Sequence, residues 1–333
     1  MLEHKSKTAG ILGMGKSVPS KILTNSDLEK MVDTSDEWIT KRTGMSERRI
    51  LEQDMPLHQL GIEASKMALE DAGIQPENLD LIIVATDTPD YLVPSMACLI
   101  QSGISAVNAA AFDLNAACTG FVYALTVADQ FIQTGYYKYI LIVCCEALSR
   151  VVDWHDRSTC ILFGDASGAV VVGPVDKGSG VIASHIGADG NLGHNITIPC
   201  CYINKEELSK RSGENKRTIW MDGSEVFKFA VRVMVQATEK VLEDSNFTID
   251  DIKLIIPHQA NIRIIDGASK RLGIDSDRVY ANVHKYGNTS SASIPIALDE
   301  AIREGTISKG DNIILVGFGG GLTWASALIN WVK

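Results

Sequence analysis

Leu69-Glu-Asp-Ala-Gly-Ile-Gln-Pro-Glu-Asn-Leu-Asp-Leu-Ile-Ile83 and Leu242-Glu-Asp-Ser-Asn-Phe-Thr-Ile-Asp-Asp-Ile-Lys-Leu-Ile-Ile256 begin and end on the same triplets, Leu-Glu-Asp and Leu-Ile-Ile, 173 residues apart. A third block, Ile140 to Val143 (ILIV), falls at the same spacing on Ile313 to Val316 (IILV). One offset at three places makes internal duplication a better account than chance likeness between helix–turn–strand segments.

Outward from these blocks, each copy reads helix, strand, helix, strand. In the first, Leu57, Leu60, Ala64, Met67 and Ala68 have helical spacing, and Gly73 stops the helix. Leu79 to Thr86 is an apolar run of strand length, Phe121 to Ile132 is apolar nearly all round, and Tyr139 to Val143 is a second buried strand. In the second, Val226, Phe229, Ala230, Val233, Ala237 and Val241 form a helical stripe. Ile252 to Ile256 and Ile313 to Val316 are its strands, and Thr323 to Trp331 closes the chain as another. Buried strands alternating with helices imply sheets covered by helices. Two α/β halves sharing a central helical layer are the closed solution. Turn-like Gly173 to Gly180 marks the join, giving halves 1–174 and 175–333, with Tyr202 to Arg217 as a polar, exposed excursion.

Composition narrows the class. Of 333 residues, 45% are hydrophobic and 22% charged, which excludes disordered and collagen-like chains. A net charge of −10 makes nucleic acid and anionic lipid poor partners. No apolar run is long enough to span a bilayer, and polar Met1 to Thr8 is no secretory signal. Seven cysteines, an odd number without CxxC spacing, indicate free thiols in a reducing cytoplasm and no metal site. Cys98, Cys144, Cys145 and Cys160 lie in apolar segments and read as buried structural residues.

Gly10-Ile-Leu-Gly-Met-Gly15-Lys16-Ser17 fits the phosphate-loop pattern, but that loop needs a helix starting at Lys16. Pro19 breaks such a helix, so the stretch reads as a glycine-rich strand end and turn.

The chemistry gathers elsewhere. Cys118, in Asn115-Ala-Ala-Cys118-Thr-Gly120-Phe121, stands at the start of the buried helix. The helix N-terminus there is expected to favour the thiolate, the nucleophilic form. His258 follows a strand in Pro257-His258-Gln259-Ala260-Asn261 and can exchange a proton near neutral pH. Asn288 precedes the helical stretch Ala292 to Arg303, as a cap or as an oxyanion donor. With a three-residue shift, Asn288 and Cys118 precede equivalent helices of the repeat. Gly319-Gly320-Gly321 can bring bare backbone N–H groups close to a reacting oxygen. A Cys, His and Asn set also fits a papain-like peptidase, which conflicts with the duplicated α/β pattern.

Taken with Asp36-Glu-Trp38-Ile, Arg42-Thr-Gly44, Phe163-Gly-Asp165, Tyr286-Gly-Asn-Thr-Ser290 and Gly317-Phe-Gly-Gly-Gly-Leu-Thr-Trp324, these stretches span nearly the whole chain in order. The chain resembles the β-ketoacyl-acyl carrier protein synthase III family. That resemblance implies a thiolase-like, five-layered αβαβα fold and an acyltransferase. Such an enzyme condenses an acyl-coenzyme A primer with malonyl-acyl carrier protein, with loss of carbon dioxide, to initiate type II fatty acid synthesis. It implies Cys118 as the acylated nucleophile and His258 with Asn288 as the decarboxylation pair. The oxyanion hole falls to the N–H groups of Cys118 and Gly320. Coenzyme A falls to Trp38, Arg42 and Arg157. Carrier protein docking falls to Gln259, Ala260, Asn261, Ile262, Arg263, Lys228, Lys270 and Arg271. On the Asn261 to Leu272 helix, Ile262, Ile265, Ser269 and Leu272 are expected inward and Arg263 and Lys270 outward.

Val93 and Leu162 are assigned to the acyl pocket. Val93 stands where some members present an aromatic across the dimer, which hints at primers longer or more branched than acetyl. The resemblance further implies a cytoplasmic homodimer with no cofactor, acyl-coenzyme A being a substrate. Cys200-Cys201 matches no motif role. A degradative thiolase would need a second catalytic cysteine near the C-terminal glycines, and elongating synthases use two histidines. A specialised relative making a quinolone or polyketide starter is the alternative enzyme, and a non-catalytic binding module the alternative class.

Overall fold

The computed structural model describes residues 7–211 and 216–333. The N-terminal segment up to position 6 and positions 212–215 of the polar excursion lie outside the described residues. Two sheets form the frame. The first has the order Lys7–Ser17, Asp165–Asp176, Ile140–Ala147, Leu81–Ala85, Ala110–Leu114. The second runs Leu254–Pro257, Asn312–Gly319, Thr323–Asn330, Gly180–Ala188. Leu81 pairs with Ile140 and Leu254 with Ile313, both in parallel, so the pairing register itself repeats after 173 residues. The first sheet's edge strand has only a remnant in the second half, a single parallel bridge from Ile255 to Val279. The first sheet ends at Asp176 and the second begins at Gly180, so the connection falls at 177–179.

Alternate side chains of the central strands enter different cores, as strand geometry requires. Leu81, Ile83, Ile140 and Ile142 meet Leu254, Ile256, Ile313 and Leu315 across a middle layer made by the helices Gly120–Gln133 and Ser293–Arg303. Ile82, Val84, Leu141 and Val143 face the helices Leu57–Ala72 and Met96–Gly103. Ile255, Ile314 and Val316 face Gly223–Ser245 and Ile262–Leu272. The layers are therefore helix, sheet, helix, sheet, helix, the thiolase-like arrangement expected. Burial on both faces explains why these strands read as unbroken apolar runs.

The glycine-rich segment at the front is a strand through Ser17, longer than expected, and no helix follows it. A Cβ on Gly13 would come within 2.3 Å of Ala72 N, so glycine is what lets this strand lie against the Leu57–Ala72 helix. Lys16 pairs with Glu300 at 2.7 Å and holds no phosphate-loop geometry. Two burial expectations differ. Met67 is exposed because the helix turns Leu60, Ala64 and Ala68 inward without it. Cys98 is exposed on a helix that buries Met96, Ala97 and Ile100. The excursion is exposed over most of 202–210 as expected, and Arg211 alone among its described residues is buried, donating to Thr197 Oγ1 at 2.7 Å and Glu207 O at 2.8 Å.

Candidate active site

Two short turns of the same build carry the reactive groups. Ala117–Thr119 leads into the helix Gly120–Gln133, and Ser290–Ala292 leads into Ser293–Arg303. They too stand 173 residues apart, and their first residues share a left-handed backbone, φ 48° at Ala117 and 47° at Ser290. Non-glycine residues held there cost about 1–3 kcal/mol, and such strain concentrates at functional sites. This register corrects the three-residue shift. Asn288 is the counterpart of Asn115, and Cys118 is the counterpart of Ser291. A Cβ on Gly319 would lie 2.7 Å from Cys118 N, so the last central strand passes directly against the cysteine turn.

The turns open on one cavity of 780 Å³. Cys118, His258 and Asn288 all line it, as do Gly320, Leu162, Ala260, Asn261, Arg263, Lys228, Trp38 and Arg42. Arg157 stands beside it. Its guanidinium carbon lies 5.0 Å from the Trp38 ring centroid and that of Arg42 lies 5.6 Å away, so two cations flank one indole. Arg157 also donates to Asp33 O at 2.6 Å.

Electrostatics revise the expectation for the thiol. Cys118 stands in the turn before a helix, yet burial, with Asp87 and Glu146 adding negative charge, pushes its pKa well up. Ser290's hydrogen bond works the other way and is outweighed. His258 is fully buried, and desolvation pulls it down to about 3, so the imidazole is neutral at physiological pH. Its Nδ1 lies 2.6 Å from Ser293 Oγ, which also accepts the Gln259 N–H at 3.3 Å. The Ser293 hydroxyl can thus donate to Nδ1, the tautomer in which Nε2 carries the proton. Nε2 has no hydrogen-bond partner among the described residues. A buried orphan donor beside a cavity is a place for a ligand oxygen. Asn288 Oδ1 accepts the Ser290 N–H at 2.9 Å, which leaves its Nδ2 as the donor.

Beneath the thiol lies a feature the sequence reading missed. Asp87 also lines the cavity, and Glu146 is fully buried behind it. Glu146 Oε2 accepts the Asp87 N–H at 3.1 Å and the Thr88 hydroxyl at 2.9 Å, and Oε1 accepts the Ser291 hydroxyl at 2.7 Å. Burial raises both carboxyls. Glu146 rises further, because Asp87's charge adds to its burial. The available signal was an acidic residue at the end of each apolar strand, in Ala85-Thr86-Asp87 and Cys144-Cys145-Glu146.

Several expected positions lie apart. Gln259 is buried and fully engaged: its Nε2 donates to Pro257 O and Tyr280 O, and its Oε1 accepts from Asn282 and Val283 N–H groups. It clamps backbone and offers nothing to a partner surface. Ile262 packs against Gly44. The inward stripe of its helix is Ile264, Ile265 and Ala268, one position off that expected, while Arg263, Lys270 and Arg271 are exposed as expected. Val93 is 87% exposed and does not line this chain's cavity. Cys200 and Cys201 are exposed thiols 3.6 Å apart. Among the described residues no group of three or more His, Cys, Asp or Glu is placed to hold a metal ion.

Comparison with known proteins places this geometry. Residues 112–190 match the family "3-Oxoacyl-[acyl-carrier-protein (ACP)] synthase III", and residues 242–331 match that family's C-terminal part. The chain is 55% identical over 325 residues to a β-ketoacyl-[acyl-carrier-protein] synthase III of Caldanaerobacter subterraneus, covering 98% of both chains. It superposes with a TM-score of 0.90 on the 3-oxoacyl-[acyl-carrier-protein] synthase III of Aquifex aeolicus, at 46% identity over 97% of this chain and 100% of that one. It superposes at 0.92 on the priming β-ketosynthase of the R1128 polyketide pathway, at 35% identity over 100% of this chain and 99% of that one. Identity at this level over the full length, on the same fold, settles kinship: the chain belongs to the β-ketoacyl-acyl carrier protein synthase III family.

Proposed function

We propose that Cys118, His258 and Asn288 divide between them the two half-reactions of this condensing acyltransferase. The enzyme joins an acyl-coenzyme A primer to malonyl-acyl carrier protein with loss of carbon dioxide and so initiates type II fatty acid synthesis. The observation that carries the division of labour is a single cavity shared by a thiol, a neutral imidazole with an unpartnered Nε2 and a carboxamide.

In the first half-reaction Cys118 Sγ attacks the thioester carbon. Oxyanion charge is received by the N–H groups of Cys118 and Gly320, and coenzyme A leaves with the electron pair of its C–S bond. Trp38 offers its indole to the adenine, and Arg42 and Arg157 offer guanidinium forks to the phosphates. Coenzyme A arrives as part of the substrate, and the reaction needs no resident cofactor. In the second half-reaction the malonyl group loses carbon dioxide. Its thioester oxygen becomes an enolate that accepts hydrogen bonds from His258 Nε2 and Asn288 Nδ2. The carbanion attacks the acyl carbon on Cys118, the C–S bond breaks, and β-ketoacyl-carrier protein departs.

Acyl-coenzyme A alone is expected to release about one equivalent of coenzyme A per chain and leave an acyl group on the protein, as ping-pong chemistry requires. Rapid quench with mass spectrometry measures both. If no coenzyme A is released until malonyl-carrier protein is added, the division fails. Run over a panel of primers, the same assay tests whether Val93 admits longer or branched chains; strict acetyl preference ends that idea.

Ala260, Asn261, Arg263 and Lys228 at the cavity, with Ile262, Lys270 and Arg271 along the same helix, form the surface offered to an acidic carrier protein. Lys228 is partly neutralised by Glu225 at 2.7 Å, which leaves Arg263 as the stronger attractor. Arg263→Glu is expected to raise the KM for malonyl-carrier protein about tenfold and leave that for acyl-coenzyme A unchanged. Steady-state kinetics with each substrate varied in turn decides it; an equal rise for both sinks the docking assignment.

A second copy is the partner best suited to the edge strand Ala110–Leu114, where Phe112 is exposed, and to exposed Tyr91, Leu92, Val93 and Val107. Pairing there supports a role for Val93 in the neighbouring chain's acyl pocket. Free cysteines support a reducing cytoplasm. Among the described residues no helix is long and apolar enough to cross a membrane.

A further inference from the structure

Arg48 is the largest of the fully buried side chains, and it is a cation. Its hydrogen bonds go to neutral acceptors. Nε donates to Ile161 O at 2.9 Å, one terminal nitrogen donates to the same oxygen, and the other donates to Asn25 Oδ1 at 2.6 Å. Burying a charge against neutral oxygens costs stability that an apolar side chain of like volume would not. The fork is better understood from what it holds.

The three residues after Ile161 bracket the backbone of Asn288. Leu162 O accepts the Asn288 N–H at 2.8 Å, the Gly164 N–H donates to Asn288 O at 3.0 Å, and Phe163 and Asn288 form an isolated parallel bridge. The fit is close. A Cβ on Gly287 would lie 2.8 Å from Leu162 O and 3.0 Å from Arg48 Cγ, and one on Gly164 would lie 2.3 Å from Tyr286 O. Two glycines thus let the arginine stem and both backbone segments close up. The far end of the fork is braced as well. Asn25 Nδ2 donates to Asp36 Oδ1 at 2.7 Å and to Met45 O at 2.8 Å, which turns Oδ1 toward Arg48.

We infer that Arg48 is a positioning residue whose guanidinium fork sets the 161–164 backbone and, through it, the place of the Asn288 carboxamide in the cavity. The inference rests on Asn288 acting in condensation. Arg48 does not line the cavity, so it acts on the reaction only through the segment it holds. Lysine cannot reproduce the fork. Its ammonium is a point charge without the rigid planar set of donors that meets Ile161 O twice and Asn25 Oδ1 once.

The test uses the full chain and measures two rates separately: acylation by acyl-coenzyme A, and condensation of the pre-acylated enzyme with malonyl-carrier protein. Arg48→Lys is expected to be acylated within about twofold of the wild-type rate and to condense about tenfold more slowly, since small misplacements of a reacting group carry costs of that order or more. In an Asn288→Ala background the same substitution should change condensation by less than about twofold, because no carboxamide is left to misplace. A merely structural role predicts otherwise: the tenfold loss would persist in that background, or would fall equally on acylation. Either result overturns the inference, as does an Arg48→Lys chain that condenses at the wild-type rate. Asn25→Ala loosens the fork from its far end and leaves the bonds to Ile161 O in place. It supplies the same readings, with a loss of about threefold, if Arg48→Lys fails to fold. If Asn288→Ala alone condenses at the wild-type rate, the role of Asn288 falls instead, a result distinct from an Arg48 variant that loses nothing.

Discussion

Cys118→Ala is expected to leave no acyl label on the protein after acyl-coenzyme A treatment, and condensation should fall on the order of 10⁴-fold or more. The covalent half-reaction has no substitute: Cys144 and Cys145 are sealed in the core with thiols pushed well up, and Ser291, the repeat's counterpart of Cys118, gives its hydroxyl to Glu146. The variant keeps the pair that stabilises the enolate, so malonyl-carrier protein should still lose carbon dioxide. Mass spectrometry of the intact chain and release of labelled carbon dioxide measure the two effects separately. Acyl label on the alanine variant would move the nucleophile elsewhere.

The second large effect is expected at Asn288. Asn288→Ala should be acylated by acyl-coenzyme A but condense about 10²–10³-fold more slowly, the usual cost of one lost oxyanion donor. The variant also strips the Ser290 N–H of its acceptor, at about 1–3 kcal/mol of stability, so the turn itself is weakened. Asn288→Asp separates these roles. Its carboxylate keeps an acceptor for Ser290 but puts negative charge where the enolate oxygen develops. It should hold the fold and the acylation rate and lose condensation as severely as the alanine variant. Thermal melting, acyl labelling and product formation on the same preparation decide it; condensation at the wild-type rate in either variant removes Asn288 from the mechanism.

What could be read in the chain depended on distance. The duplication needed only matched triplets, and its offset proved to govern strand pairing and turn conformation as well. Element ends drifted where burial continued past the apolar letters. The Ile140–Ala147 strand runs four residues beyond the expected Val143, because Glu146 is accommodated by Thr88, Ser291 and the Asp87 N–H, each far away in sequence. The surroundings of the thiol were incomplete for the same reason. A helix N-terminus is visible in the local sequence, whereas the opposing carboxyls arrive from other strands. Gln259 sat inside a matching motif, but its four hydrogen bonds to backbone at 257, 280, 282 and 283 could not be read from the motif. On the helix after it, two stripes through Ile265 satisfy the same period, and packing against Gly223–Ser245 chose the one with Ile264 and Ala268.

The paired turns carry a consequence for how such a molecule changes over generations. A tandem copy begins with every part in duplicate, yet here the sulfur stands on one side only and the imidazole on the other, while the matching asparagines, Asn115 and Asn288, remain in both. Each half holds something its twin does not: Ser291 stands where the other half has Cys118, and Ala85 where the other has His258. Neither can be lost, exchanged or remodelled alone, because the chemistry lives in the seam and belongs to no single segment of the gene.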